Sequence, residues 1–95
     1  MKYQKSLTII PEAMSPAGPP LQMPTTDTTI TEDGFYRFYA ASGIYVAVSN
    51  AAITWAPNYN NGGYVHYNGG WEGCYLKAGD HIKSSSTLGS YQRFA

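Results

Sequence analysis

The chain reads as an all-β domain, a small β-sandwich or jelly roll, preceded by an extended Pro-rich N-terminal arm. Three observations predict this. From Asp27 onward, β-branched and aromatic runs are separated by Gly, Asn and Asp turn residues at intervals of about ten residues. The composition suits β-surfaces, with nine Tyr, three Phe, two Trp and ten Gly in 95 residues. Ahead of that region, Pro11, Pro16, Pro19, Pro20 and Pro24 crowd one stretch, removing backbone donors and fixing φ near polyproline values.

In chain order, MKYQKSLTII alternates loosely, with Tyr3, Leu7 and Ile9 on one side, which predicts a short strand over 2–10. The Pro-rich segment 11–24 then forms neither helix nor central strand. Residues 1–26 are accordingly read as an arm or spacer and 27–95 as the domain. Leu7, Ile9, Met14, Leu21 and Met23 are apolar anchors that a solvated linker does not need, so the arm is expected to order on a neighbouring subunit.

Within the domain, TTITE leads through Asp33-Gly34 into FYRFYA, and Ser42-Gly43 leads into IYVAVS. There Ile44, Val46 and Val48 share one face opposite Tyr45, Ala47 and Ser49, the period of two that puts one face in a core. Further strands are expected at AITWA, YVHYN, WEGCYLK, HIKSS and SYQRF. Asn61-Gly62 and Asn68-Gly69 suit the positive φ of tight hairpins. No helical pattern and no repeat at solenoid period interrupts this sequence.

Charge narrows the function. Six basic residues cancel six acidic ones, and charged residues make up 13% of the chain, against about 25% in ordinary soluble domains. Scattered Lys2, Lys5, Arg37, Lys77, Lys83 and Arg93 form no basic stripe, which argues against nucleic acid as a partner. Near-zero net charge also removes repulsion between copies. By area scaling a chain of this mass buries roughly 64% of its unfolded surface, which is marginal for a monomer. The lone Cys74 makes no intrachain disulfide, and one Cys with two His is a poor zinc set, so no metal or cofactor is expected. Oligomerisation, or docking on a larger body, is left as the means of stabilisation. No apolar run approaches the roughly 20 residues needed to span a bilayer, so no membrane partner is expected and synthesis in a cytoplasm fits.

Catalytic groups are sparse, and no enzyme activity is expected. Cys74 precedes a strand with no helix terminus to activate it, and reads as a small buried residue. His66 alternates with Tyr64 on a strand, Glu32-Asp33 reads as part of a turn, and Glu72 and Asp80 lack partners at glycosidase spacing. A better candidate is the aromatic cluster Trp55, Tyr59, Tyr64, Tyr67 and Trp71, set among Asn and Gly. Such rings serve equally as core, as a protein interface or as a glycan platform.

At YLKAGDHIKSS, residues 75–85, an apolar strand end, Lys-Ala-Gly-Asp and a second apolar strand start resemble the hairpin of trimeric jelly-roll knobs on bacteriophage fibre and head-decoration proteins. The phrase is also similar to the corresponding turn of C1q and tumour-necrosis-factor-like domains. Gly79 can take the left-handed conformation there, and Asp80 can close the turn through its side chain. TITEDGFYRFYAASGIYVAV, residues 29–48, resembles the opening of the phage domains, and Tyr91 and Phe94 resemble their closing strand. The resemblance implies a structural virion protein of a tailed bacteriophage: a capsid decoration, cement or head-fibre subunit. It would be a homo-oligomer, expected as a trimer, whose arm and β-domain bind the major capsid protein. The alternative it implies is a tail-fibre module recognising host glycan through the aromatic cluster. The domain is shorter than most jelly rolls and no stalk sequence precedes it, which favours decoration over a fibre.

Overall fold

The computed structural model describes residues 15–40, 42–58, 64–66 and 70–95, with 64–66 and 70–72 entering as backbone. The described residues form eight strands and no helix: β1 (Leu21–Gln22), β2 (Thr28–Thr29), β3 (Gly34–Ala40), β4 (Ile44–Ser49), β5 (Tyr64–His66), β6 (Gly70–Leu76), β7 (His81–Ser84) and β8 (Gly89–Phe94). They form two four-stranded antiparallel sheets, ordered β1-β8-β3-β6 and β2-β7-β4-β5. The all-β reading therefore holds at the level of class and sheet number.

The period of two in IYVAVS places Ile44, Val46 and Val48 in the core beside Ile82 of β7 in the same sheet, packed in one cluster with Tyr36, Phe38 and Ala40 of β3 and Cys74 and Leu76 of β6 in the other. Met23 and Ile30 complete the same cluster, and Tyr91 packs against it. Phe38, paired with Glu72 on one side and Tyr91 on the other, is fully buried at its centre. On the outer face of the first sheet, Arg37 lies over the Phe94 ring at 5.1 Å. Phe35 is also buried there, its ring over Gly73, where an added Cβ would come within 2.5 Å of Phe35 Cε1.

The turn between β6 and β7 has the geometry its residues require. Gly79 sits at φ 97°, in the left-handed region. The Lys77 amide donates to Asp80 Oδ2 at 2.9 Å, and the Asp80 amide donates to the Lys77 carbonyl at 2.9 Å. The buried Asp80 is thus satisfied by the turn it closes. Ile30 and Asp33 hold the turn from outside: the Gly79 amide donates to Ile30 O at 2.8 Å and the Ala78 amide to Asp33 Oδ1 at 2.7 Å.

Two expectations differ from the structure. The run AITWA does not form a strand; the Ile53 amide donates instead to the Asp27 carboxylate at 3.0 Å, so a side chain takes the place of a ladder partner and Pro57 ends the segment. The segment expected to reach a neighbour also pairs with its own chain from Ser15 onward. Ser15 and Ala95 exchange backbone hydrogen bonds of 3.2 and 3.0 Å, Ala17 donates to Arg93 O at 2.8 Å, β1 pairs with β8, and Met23 donates to Gly89 O at 3.0 Å. Four prolines lie in this stretch, yet an edge strand uses only alternate donors and tolerates them. Met23, expected to anchor the arm on a neighbour, is 1% exposed in the core of its own chain. Leu21 is half exposed at the sheet edge. The expected strand 2–10 and the anchors Leu7, Ile9 and Met14 lie outside the described residues.

Candidate functional site: a cleft between the two sheets

Where β1 edges one sheet and β2 the other, both strands are only two residues long, and the sheets stay apart. A cleft of about 210 Å³ opens between them. Its apolar lining is Leu21, Ile30 and the rings of Tyr36 and Tyr91, whose centroids are 6.4 Å apart at 35°. The strand period explains why Tyr91 and Arg93 both line it: they stand two apart on β8 and share a face, with Tyr36 opposite Arg93 on β3.

The mouth is polar. Arg93 Nη1 lies 3.3 Å from Glu32 Oε1, and Arg93 Nε donates to the Asp33 carbonyl at 2.8 Å. The Tyr36 hydroxyl donates to the Glu32 carbonyl at 2.8 Å, so it is committed to the fold. The second phenol of the cleft is that of Tyr91. Burial pushes both phenols above their ordinary value, an effect that the nearby Arg93 charge partly offsets at Tyr36. Both stay protonated donors at neutral pH.

A second polar cluster ties the segment after β4 to β2 and β7 of the same sheet. His81 Nδ1 lies 3.0 and 3.1 Å from the two Asp27 carboxylate oxygens, one of which also accepts the Ile53 amide. The Ile53 amide, helped by His81 and the Lys83 charge, holds the Asp27 carboxyl below its ordinary range against partial desolvation. Three elements meet on one carboxylate.

The aromatic cluster read from the sequence is not gathered on one sheet. Trp55 is 37% exposed in the non-strand segment after β4; Tyr64 lies on β5, an edge of one sheet, and Trp71 on β6, an edge of the other; Tyr59 and Tyr67 lie outside the described residues. Cys74 is buried, and burial, with Asp80 nearby, pushes its thiol up to about 12, so it stays a neutral core side chain. Among the described residues no three His, Cys, Asp or Glu side chains converge as a metal site would require.

Sequence reasoning passed over Glu32, Tyr36, Tyr91 and Arg93 as a group. The signal was faint: a Tyr-x-Arg alternation in SYQRF and an acid pair read only as turn material. Comparison with protein families, characterised proteins and solved structures finds no match for the chain.

Proposed function

We propose that the chain is a jelly-roll subunit of a virion, a capsid decoration or head-fibre protein of a tailed bacteriophage, working as a symmetric homo-oligomer, a trimer, on the capsid shell. The strand order carries this reading. In both sheets, β1-β8-β3-β6 and β2-β7-β4-β5, early and late strands alternate, which is how two nested Greek keys build the eight-stranded jelly roll used by viral capsid domains. The Lys77–Asp80 turn supports it as well, since the resemblance singles out that hairpin and its glycine adopts the conformation the hairpin needs. Zero net charge and half-exposed Leu21, Tyr75 and Leu88 suit a surface that packs against other subunits. Residues ahead of Ser15 would then supply the arm that reaches the major capsid protein, and the protein would be made in the host cytoplasm and carried in the particle.

Two measurements test the proposal. Light scattering on the purified chain should give a mass three times 10.4 kDa; a stable monomer at micromolar concentration contradicts it. Cryo-electron microscopy of particles from the phage encoding the chain should show the domain on the head, and its absence from the particle overturns the reading.

A further inference from the structure

The cleft holds more polar groups than the fold needs. The Glu32–Arg93 pair is solvent-accessible, with the Glu32 side chain 67% exposed, and such pairs contribute little to stability. Its two charges cancel, so the mouth attracts neither anions nor cations. A carboxylate entering beside Arg93 also meets Glu32, and an ammonium beside Glu32 meets Arg93. A wholly apolar guest would strip water from both without replacing it.

What the lining offers is alternation. Glu32 only accepts hydrogen bonds, Arg93 only donates, and the hydroxyls of Thr29, Thr31 and Tyr91 do both. A ligand hydroxyl matches every one of them, because it too both donates and accepts. Below this mouth the half-exposed Leu21 and the Tyr91 ring give an apolar surface on which a face of C–H groups can rest. The volume, about 210 Å³, lies below the roughly 300–1,000 Å³ of pockets for drug-sized ligands, which limits the guest to one ring. We propose that the cleft is a binding subsite for a single neutral pyranose unit, such as the end of a glycan chain. This inference does not rest on the virion reading, and it lies away from the aromatic cluster singled out in the sequence.

The test is an NMR titration of the full chain with methyl α-D-glucopyranoside, methyl α-D-galactopyranoside and methyl α-D-mannopyranoside in turn, with benzoate as a charged probe of similar size. At least one glycoside should move the signals of Leu21, Ile30 and Tyr91 with half-saturation at millimolar concentration, the range of a few weak contacts. Glu32→Ala, at an exposed position, should weaken that binding about tenfold while leaving the core signals of Phe38 and Val46 in place. Tyr91→Phe, which keeps the ring, should weaken it severalfold. The proposal is overturned if no glycoside moves these signals at roughly 100 mM, a concentration far above millimolar dissociation constants. It is also overturned if benzoate alone moves them, or if Glu32→Ala and Tyr91→Phe bind the glycoside as the parent does.

Discussion

The sheet built on β3 and the sheet built on β4 fill one core with different side chains. The first brings Tyr36, Phe38 and Tyr91 inward, with Phe35 and Phe94 buried on its outer side; the second brings Ile44, Val46, Val48 and Ile82. Glycine follows the rings: Gly34, Gly70, Gly73 and Gly89 all lie in strands of the first sheet, whereas β2, β4, β5 and β7 hold none. At Gly73 the missing Cβ makes room for the Phe35 ring, whereas branched aliphatic side chains cover a plain pleated surface by themselves. The cleft's phenols and guanidinium come from the ring-bearing sheet, so the side with chemistry to offer is also the side whose packing is least tolerant.

Substitutions should expose that contrast. Phe38→Ala, at the centre of the ring-bearing sheet, should cost about 3–5 kcal/mol in urea unfolding. Val46→Ala, across the core, should cost only about 2 kcal/mol for the two carbons lost. Equal losses would mean that the two sheets share the load evenly. Met23→Ala should cost roughly 2–5 kcal/mol, comparable to a central core residue although it lies in the Pro-rich stretch; a loss under about 0.5 kcal/mol, the level of surface changes, would show that the stretch is not part of the domain. Gly73→Ala drives a methyl into the Phe35 ring and should cost roughly 1–3 kcal/mol, with the double variant Gly73→Ala/Phe35→Leu recovering part of it.

The two sheets should also fail at opposite ends of the pH scale. Cys74 has its folded pKa raised from 9.0 to about 12, and Tyr36 and Tyr91 shift in the same direction. Their contribution is full below the unfolded values and falls as pH rises from about 9 toward 12, where the unfolded chain loses protons that the folded chain keeps. Unfolding midpoints measured across that range should decline, and Cys74→Ala should flatten part of the decline. Asp27 shifts the other way. Its tether is fully present above the ordinary carboxylate value and is lost as pH falls below it. Protection of the Ile53 amide from hydrogen exchange, taken relative to the intrinsic rate at each pH, should fall there before the core opens, and Asp27→Ala should lack that protection at every pH.

Much of the fold was legible because most strands announce themselves locally. IYVAVS matches β4 residue for residue, and FYRFYA and SYQRF fall within β3 and β8, since alternation and flanking turn residues decide these segments without help from elsewhere. Two segments were decided at a distance. AITWA has strand composition, but a carboxylate 26 residues earlier takes its amide. Leu21–Gln22 has the composition of a linker, but β8, some seventy residues later, gives it a partner. The candidate site was hidden for the same reason: Glu32, Tyr36, Tyr91 and Arg93 adjoin only after β8 has paired with β3. By contrast Gly79 and Asp80 were readable, because their turn is built from neighbours in sequence.

The backbone bonds between Ser15 and Ala95 fix how the domain answers a mechanical load. The two positions lie side by side on antiparallel segments, so force applied between them acts across the ladder and breaks its bonds one after another: Ser15–Ala95, then Ala17–Arg93, then the β1–β8 pairs. A domain pulled in this direction unzips at low force and frees Met23 and its length of chain as slack before the β3–β8 and β4–β7 pairs carry tension.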